Sequence, residues 1–310
     1  MTFAFAELVD QLELGERQTD ERMTLIPLKW RTTSAQRAEP QLEYLTLEQA
    51  IEQKLARVME VTESGSVPQM TVINEAKLPL FLPDGTTLIG CKQNRVVNIS
   101  ILLAAQSVTK IPVSCVERGR WQRFSAEAQV GDFCDPELRS RMARSAGASL
   151  KASGEVRADQ GEVWSHVDRM LHASNCPSET NSYSEAFRSS RESIDHSLEK
   201  LSCPDGAVGL AVVIAGKLAS VDLFDKPETL QRFWKRIVPG ALMASRYLKP
   251  DTGDSIPDLL QTMADELQRP APSGAKIGIG SHFELKGSKS LGTALVHEKQ
   301  LLHLALFAAV

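Results

Sequence analysis

Residues 67–117 read VPQMTVINEAKLPLFLPDGTTLIGCKQNRVVNISILLAAQSVTKIPVSCVE, a succession of short aliphatic and β-branched runs separated by turn residues. Strands are expected at 69–73, 78–82, 86–89, 95–103 and 111–117. Pro83-Asp84-Gly85 marks a turn, because proline presets one backbone dihedral and glycine accepts a positive one. Connections this short leave no room for the crossover that parallel neighbours require, so the strands should be mostly antiparallel.

Outward from this stretch the periodicity changes. Upstream, Phe5, Leu8, Val9 and Leu12 recur at helical spacing, which predicts an amphipathic helix over 4–13, ended by Gly15 and suited to docking on a protein partner. Thr46-Leu47-Glu48-Gln49 has the form of a capping box and opens a helix to about residue 54. Downstream, helices are expected after Pro136, after the cap-like Asp159-Gln160-Gly161-Glu162, and over 181–201. Val163, Val167, Met170 and Leu171 lay an apolar stripe down the second of these, extended by Trp164. Runs at 208–214 and 218–224 flank Ala215-Gly216-Lys217 as a hairpin. Leu230, Phe233, Trp234, Ile237 and Val238 predict a helix that Pro239-Gly240 should break or kink. A helix over 256–267, a linker over 270–274 and strands near 276–285, 291–297 and 301–307 complete the chain.

Strands, helices, strands, helices and strands in that order argue for an α+β fold rather than a doubly wound parallel sheet. The regions are 1–22 (amino-terminal helical segment), 23–124 (antiparallel β-rich), 125–205 (helical) and 206–310 (α+β, with closing antiparallel strands).

Composition narrows the function classes. With 310 residues, 42% hydrophobic and 24% charged, the chain is in the ordinary globular range. A formal net charge of −4 provides no overall field for nucleic acid or acidic membrane. The opening Met1 to Asp10 lacks a basic n-region, so no secretion signal is expected, and no apolar run reaches membrane-spanning length. Cys91, Cys115, Cys134, Cys176 and Cys203 are odd in number and contain no C-x-x-C, which predicts free thiols in a reducing, cytoplasmic setting. His166 and His172 are six residues apart and no H-E-x-x-H occurs, so neither a protein-built metal site nor a cofactor is expected.

Positive charge is nevertheless concentrated in one place. From Lys92 to Arg123 stand Lys92, Arg95, Lys110, Arg118, Arg120 and Arg123 against Glu117 alone, a net charge of +5. Guanidinium forks with the amides of Gln93 and Asn94 suit phosphate or carboxylate, and Trp121 offers a stacking face. The plainer alternative is a solvated arginine rim with an ordinary ion pair. Elsewhere, Asp159 reads as a helix cap rather than a base, Trp164 and Trp234 as core, and Gly278-Ile279-Gly280-Ser281-His282 as a strand with packing glycines.

The same residues carry a family resemblance. Leu25-Ile26-Pro27-Leu28, Tyr44-Leu45-Thr46-Leu47, Gly65-Ser66-Val67-Pro68, Gly90 with Gln93-Asn94-Arg95, Pro112 through Trp121, and Gln160 with Val163-Trp164 resemble the ARPP family. The name abbreviates ARG and rhodanese-phosphatase-superfamily-associated protein, ARG being ADP-ribosylglycohydrolase. The likeness runs from about Met23 to about Tyr247. It implies association with enzymes that process ADP-ribose or related nucleotides, in prokaryotic conflict systems, without supplying an activity. Asp84-Gly85-Thr86-Thr87-Leu88 departs from the family pattern, in which carboxylates commonly follow the glycine.

Three readings stay open. The first is a binding module holding a small anionic, nucleotide-like ligand with Lys92, Gln93, Asn94, Arg95, Arg118, Arg120 and Trp121. The second is a hydrolase of such a ligand with Glu117 as general base, and the third a protein scaffold working through the amino-terminal helix or exposed strands. Strand periodicity adds a geometric expectation: a hairpin turning at Gln106 would make Arg95 and Glu117 cross-strand neighbours on the inward face.

Overall fold

The computed structural model describes residues 5–31, 42–62, 65–248, 258–267, 270–287 and 289–309. The fold is α+β, and its strands pair antiparallel with one exception among the described residues, Leu45–Thr46 beside Leu80–Leu82.

Ala207–Ile214 is an unbroken apolar run, AVGLAVVI, buried along its whole length. Such a run needs cover on both faces, so it lies inside the largest sheet, between Met23–Trp30 and Lys217–Phe224. Beyond Lys217–Phe224 follow Gln300–Ala308, Ser290–His297, Ser281–Lys286 and, at one edge, Ala271–Pro272. Leu12–Leu14 forms the other edge, and Gln18–Asp20 also pairs with Met23–Trp30. The sheet thus joins strands from residues 12–30 to strands from 207–308. Leu210, Val212 and Ile214 pack with the helices on one face, while Ala211 and Val213 pack on the other with Phe5, Leu8, Val9, Leu259 and Met263.

The second sheet runs Ala128–Phe133, Thr86–Gly90, Arg95–Val97, Ser107–Cys115, Gln69–Asn74 and Ala56–Glu60. It curls until its two edge strands come within 8 Å of each other. Its core is formed by Val58, Met70, Val72, Leu88, Val97, Ile111 and Val113, with Leu80, Leu82, Ile101 and Leu103 from the small third sheet.

One buried charge cluster joins these parts. Arg139, on helix Pro136–Ser153, donates through Nη1 and Nη2 to the carboxylate of Asp222 at 2.9 and 2.6 Å and through Nε to Asp84 at 3.1 Å. His303 Nε2 meets Asp222 at 3.1 Å and its Nδ1 meets Ser100 Oγ at 2.8 Å, while that hydroxyl donates to Asp84. Burial pushes the Asp222 carboxyl up, but the charge of Arg139 and bonds from Arg139 and His303 outweigh it and hold the group well below the usual range. Asp84 comes from the predicted Pro83-Asp84-Gly85 turn, where Gly85 has φ +80° and a β-carbon would lie 2.6 Å from Arg139 Cδ. The turn therefore positions a charge as well as reversing the chain.

A second polar cluster sets the helical layer. Asp135 caps helix Pro136–Ser153 through Oδ1, while its Oδ2 accepts from Tyr183 Oη at 2.6 Å and meets His166 Nε2 at 2.6 Å. This ties helices Gln160–Ala173 and Tyr183–Ser189 to the start of helix Pro136–Ser153.

Several expectations need correcting. Residues 5–11 form two 3-10 turns, Phe5–Glu7 and Val9–Gln11, and then Leu12–Leu14 enters the sheet, so no α-helix forms there. A short helix is costly to nucleate, and pairing of Leu12 with Trp30 wins. Phe5, Leu8, Val9 and Leu12 are buried in the protein's own core, which removes the apolar stripe expected to dock a partner. The run 181–201 divides at Ser190 into Tyr183–Ser189 and Arg191–Lys200, the Ser190 hydroxyl pairing with Tyr247 Oη at 3.1 Å rather than capping either helix. Helix Pro227–Met243 runs through Pro239 without a break, and Gly240 leaves room for the Phe133 and Cys134 carbonyls, which a β-carbon there would approach to 2.8 and 2.9 Å. The Asp159 box is half made: Asp159 accepts from Gly161 and Glu162 N–H, but the Glu162 carboxylate pairs with Arg144. The Thr46 box is complete, over helix Leu47–Glu52. Of the helix expected over 256–267, Leu259–Glu266 is present and residues 256–257 lie outside those described.

Candidate functional site

The basic segment forms the end of the curled sheet where two connections meet. Thr86–Gly90 turns into Arg95–Val97 through Cys91-Lys92-Gln93-Asn94, with Gly90 at φ +126° and Cys91 at φ +52°. At Gly90 a β-carbon would stand 2.5 Å from Ser125 Oγ, so both the dihedral and the space call for glycine. Ser107–Cys115 runs alongside and leads into Val116 to Trp121.

Asn94 is the hub of this turn. Its Oδ1 accepts from Gly90 N–H and Arg120 Nη2, its Nδ2 donates to Ser182 and Ser184 Oγ, and its N–H donates to Glu117 Oε2. Glu117 is equally engaged. Arg120 donates to both of its oxygens, Thr180 Oγ1 donates to Oε1 at 2.8 Å, and Asn94 N–H to Oε2 at 2.9 Å. Burial raises the Glu117 carboxyl, but these four donors outweigh it and leave the group below its ordinary value.

The register expected between Arg95 and Glu117 is off by two. Arg95 stands opposite Cys115 and Val97 opposite Val113, while Glu117 lies past the strand end and bridges Ser182. The cause is at Asn98-Ile99-Ser100, where side-chain bonds from Ser114 to Asn98 and from Ser100 to Asp84 interrupt the run. Ile101–Leu103 then leaves to pair with Leu80–Leu82, so no simple hairpin connects the two strands. Glu117 and Arg95 are both buried without being strand partners, and the ion pair is Glu117 with Arg120.

Arg95 is 0% exposed. Its Nη1 donates to Gln93 Oε1 at 3.1 Å and to Asn94 O at 3.5 Å, but Nε and Nη2 are buried with no hydrogen-bond partner among the described residues. Above it lies Trp121, with the guanidinium carbon 5.8 Å from the ring centroid, and Lys92 Nζ approaches the same ring at 5.4 Å. Trp121 is 45% exposed, so the ring also faces outward. Arg118 departs from this group: it pairs with Asp168 at 3.3 Å and lies over Trp164, which is only partly buried. Arg120 is spent on Glu117, Asn94 and the Cys91 carbonyl. Of the four cations named from sequence, Lys92 and Arg95 share the Trp121 ring, Arg120 braces the turn and Arg118 points elsewhere.

The neighbouring thiols are not activated. Burial, with Glu60 nearby, pushes Cys91 up to about 11. Burial also raises Cys115, against the opposing charge of Arg95, and its Sγ donates to Gln93 Oε1 and Glu117 O. The geometry can seat an anion and stack a flat group, and it offers no primed nucleophile at Cys91 or Cys115.

Sequence reading missed two contributors. Gln160 uses its side-chain amide as a surrogate strand, accepting from Cys115 N–H and donating to Cys115 O, both at 2.8 Å. Glu60, at the end of strand Ala56–Glu60, accepts from Lys92 N–H through Oε1. The buried alternation of Ala56 and Val58 was the signal for that strand, but it spans only five residues.

Comparison with known proteins agrees with this reading of the chain's relatives. No curated protein and no solved structure matches it. A family model described as the ARG and Rhodanese-Phosphatase-superfamily-associated Protein domain, ARPP-1, matches residues 11–307, which extends the likeness at both ends and takes in the whole large sheet except its last residue; the chain belongs to that family.

Proposed function

We propose that the protein is a binding module for a phosphate-bearing, nucleotide-like ligand, with Arg95 as the seat of the anion. The observation that carries this is the buried guanidinium with two unpartnered nitrogens beneath Trp121. Burying an ion without a counter-charge costs several kcal/mol. A cation–π contact returns about 0.5–2 kcal/mol, and neutral acceptors on Nη1 alone leave the other side of the fork empty. An incoming phosphate offers the missing charge and the missing acceptors together. Trp121 belongs to a segment, 119–127, without helix or strand, so the ring beside Arg95 is not held by a strand ladder.

Glu117 fits this reading as a brace. A carboxylate holding four donors and kept below its ordinary pKa is a poor proton acceptor, which weighs against hydrolysis with Glu117 as the base. The family description, which couples these proteins to ARG, favours ligands related to ADP-ribose.

Thermal unfolding in the presence of ADP-ribose, ADP, NAD and inorganic phosphate tests the proposal. A ligand at 100 times its Kd adds about 2.7 kcal/mol of stability. A rise in Tm with a phosphate-bearing compound is expected, and Arg95→Met should abolish it. Absence of a rise with all four would overturn the binding reading.

A further inference from the structure

Arg95 is not the sole incomplete group at this site. Among the described residues Glu60 Oε2 is also buried with no hydrogen-bond partner, while its Oε1 accepts from Lys92 N–H at 3.0 Å. Gly65, at φ +81°, shows how close the groups stand. The position a β-carbon would take there is 3.3 Å from Glu60 Oε2, 3.3 Å from Trp121 Cζ2 and 3.1 Å from Lys92 Cδ. Trp121 in turn covers Arg95. One aromatic ring is therefore bordered by an unsatisfied acceptor and an unsatisfied cationic donor.

The two unpartnered groups differ in kind. Arg95 calls for an anion, whereas Glu60 Oε2 repels an anion and calls for a hydrogen-bond donor. Inorganic phosphate satisfies the first and not the second. A molecule that satisfies both carries a phosphate and a hydroxyl, and Trp121, which stands beside both groups, adds a face for a planar group.

Resting on the anion seat proposed above, we infer that the ligand is a ribonucleotide held at three points: phosphate on Arg95, base against Trp121, and a ribose hydroxyl donating to Glu60 Oε2. Glu60 is thereby the specificity-determining residue, separating nucleotides from simple polyphosphates. Gly65 is the residue that lets Glu60, Lys92 and Trp121 close around one point.

Glu60→Gln tests this without changing shape. Because the Lys92 N–H needs an acceptor at Oε1, the glutamine must place its NH2 where Oε2 stands, so an acceptor becomes a donor. Calorimetric titration of the full chain with ADP, 2′,3′-dideoxy-ADP and pyrophosphate is the measurement. We expect the wild type to bind ADP at least tenfold more tightly than dideoxy-ADP. Glu60→Gln should weaken ADP about tenfold, leave dideoxy-ADP within twofold, and leave pyrophosphate unchanged or tighter. Equal wild-type affinity for ADP and dideoxy-ADP overturns the inference, and needs no variant to fold. A uniform loss for all three compounds in Glu60→Gln overturns it as well. If pyrophosphate binds as tightly as ADP, the anion seat stands and the ribonucleotide assignment falls. If wild type binds none of the three, the seat itself is wrong.

Discussion

Arg139 and Arg95 are both buried in the same chain, and their surroundings were built in opposite ways. Arg139 meets two carboxylates, Asp84 and Asp222, with Nε, Nη1 and Nη2 all engaged, and His303 and Ser100 complete the ring of bonds. Arg95 meets only a side-chain amide and a backbone carbonyl, through one nitrogen. The first arrangement joins helix Pro136–Ser153, the large sheet and the Pro83-Asp84-Gly85 turn, so its charges are complete in the folded chain. The second has a donor set left over. Full burial of a charge thus means different things depending on how many of its donors the surrounding side chains engage.

The largest effect should come from Arg139→Met. It leaves Asp84 and Asp222 buried against each other, and a loss of about 3–5 kcal/mol is expected in urea unfolding at pH 7. A loss below about 1 kcal/mol would mean that the cluster relaxes or takes up water, and the contrast with Arg95 would weaken. An intermediate effect is expected for Glu117→Gln, which replaces a charge-assisted partner of Arg120 by a neutral one. Stability should fall by about 1–3 kcal/mol while the ligand-induced rise in Tm persists. Lost turnover of a nucleotide substrate with unchanged stability would instead put Glu117 in the chemistry. The smallest loss of stability belongs to Arg95→Met. Removing a buried cation that makes no ion pair among the described residues should leave the unfolding free energy unchanged or raise it by up to about 3 kcal/mol. A loss as large as that of Arg139→Met would sharpen the comparison the other way and make Arg95 a structural residue.

Much of this architecture is local enough to read from sequence. Thr46 and Gln49 cap a helix with atoms three residues apart, and the strands Ala207–Ile214 and Lys217–Phe224 are joined by a two-residue turn at Ala215 and Gly216. The concentration of charge around Arg95 was equally visible, since it depends only on which residues are neighbours in the chain. What could not be read is which guanidinium faces which carboxylate. The Arg95 register depends on Ile101–Leu103 leaving for another sheet, and that choice is made by Leu80–Leu82, far from the turn itself. Residues 5–11 have helical spacing, but their conformation is decided by a strand partner at Trp30. Glu60 joins the site only because the sheet curls, a property of no single segment.

The pairing of Met23–Trp30 with Ala207–Ile214 has a consequence for synthesis. A chain made from its amino terminus at about 5–20 residues per second exposes the early strand some ten to forty seconds before its central partner emerges. During that interval Leu12–Leu14 and Gln18–Asp20 are the pairing partners already available to it. They are three residues each and pair in tandem along one edge of that strand, so its other edge, which Ala207–Ile214 takes in the finished sheet, has no partner until that strand emerges. The late pairing is therefore the step that closes an apolar strand to its neighbours on other chains.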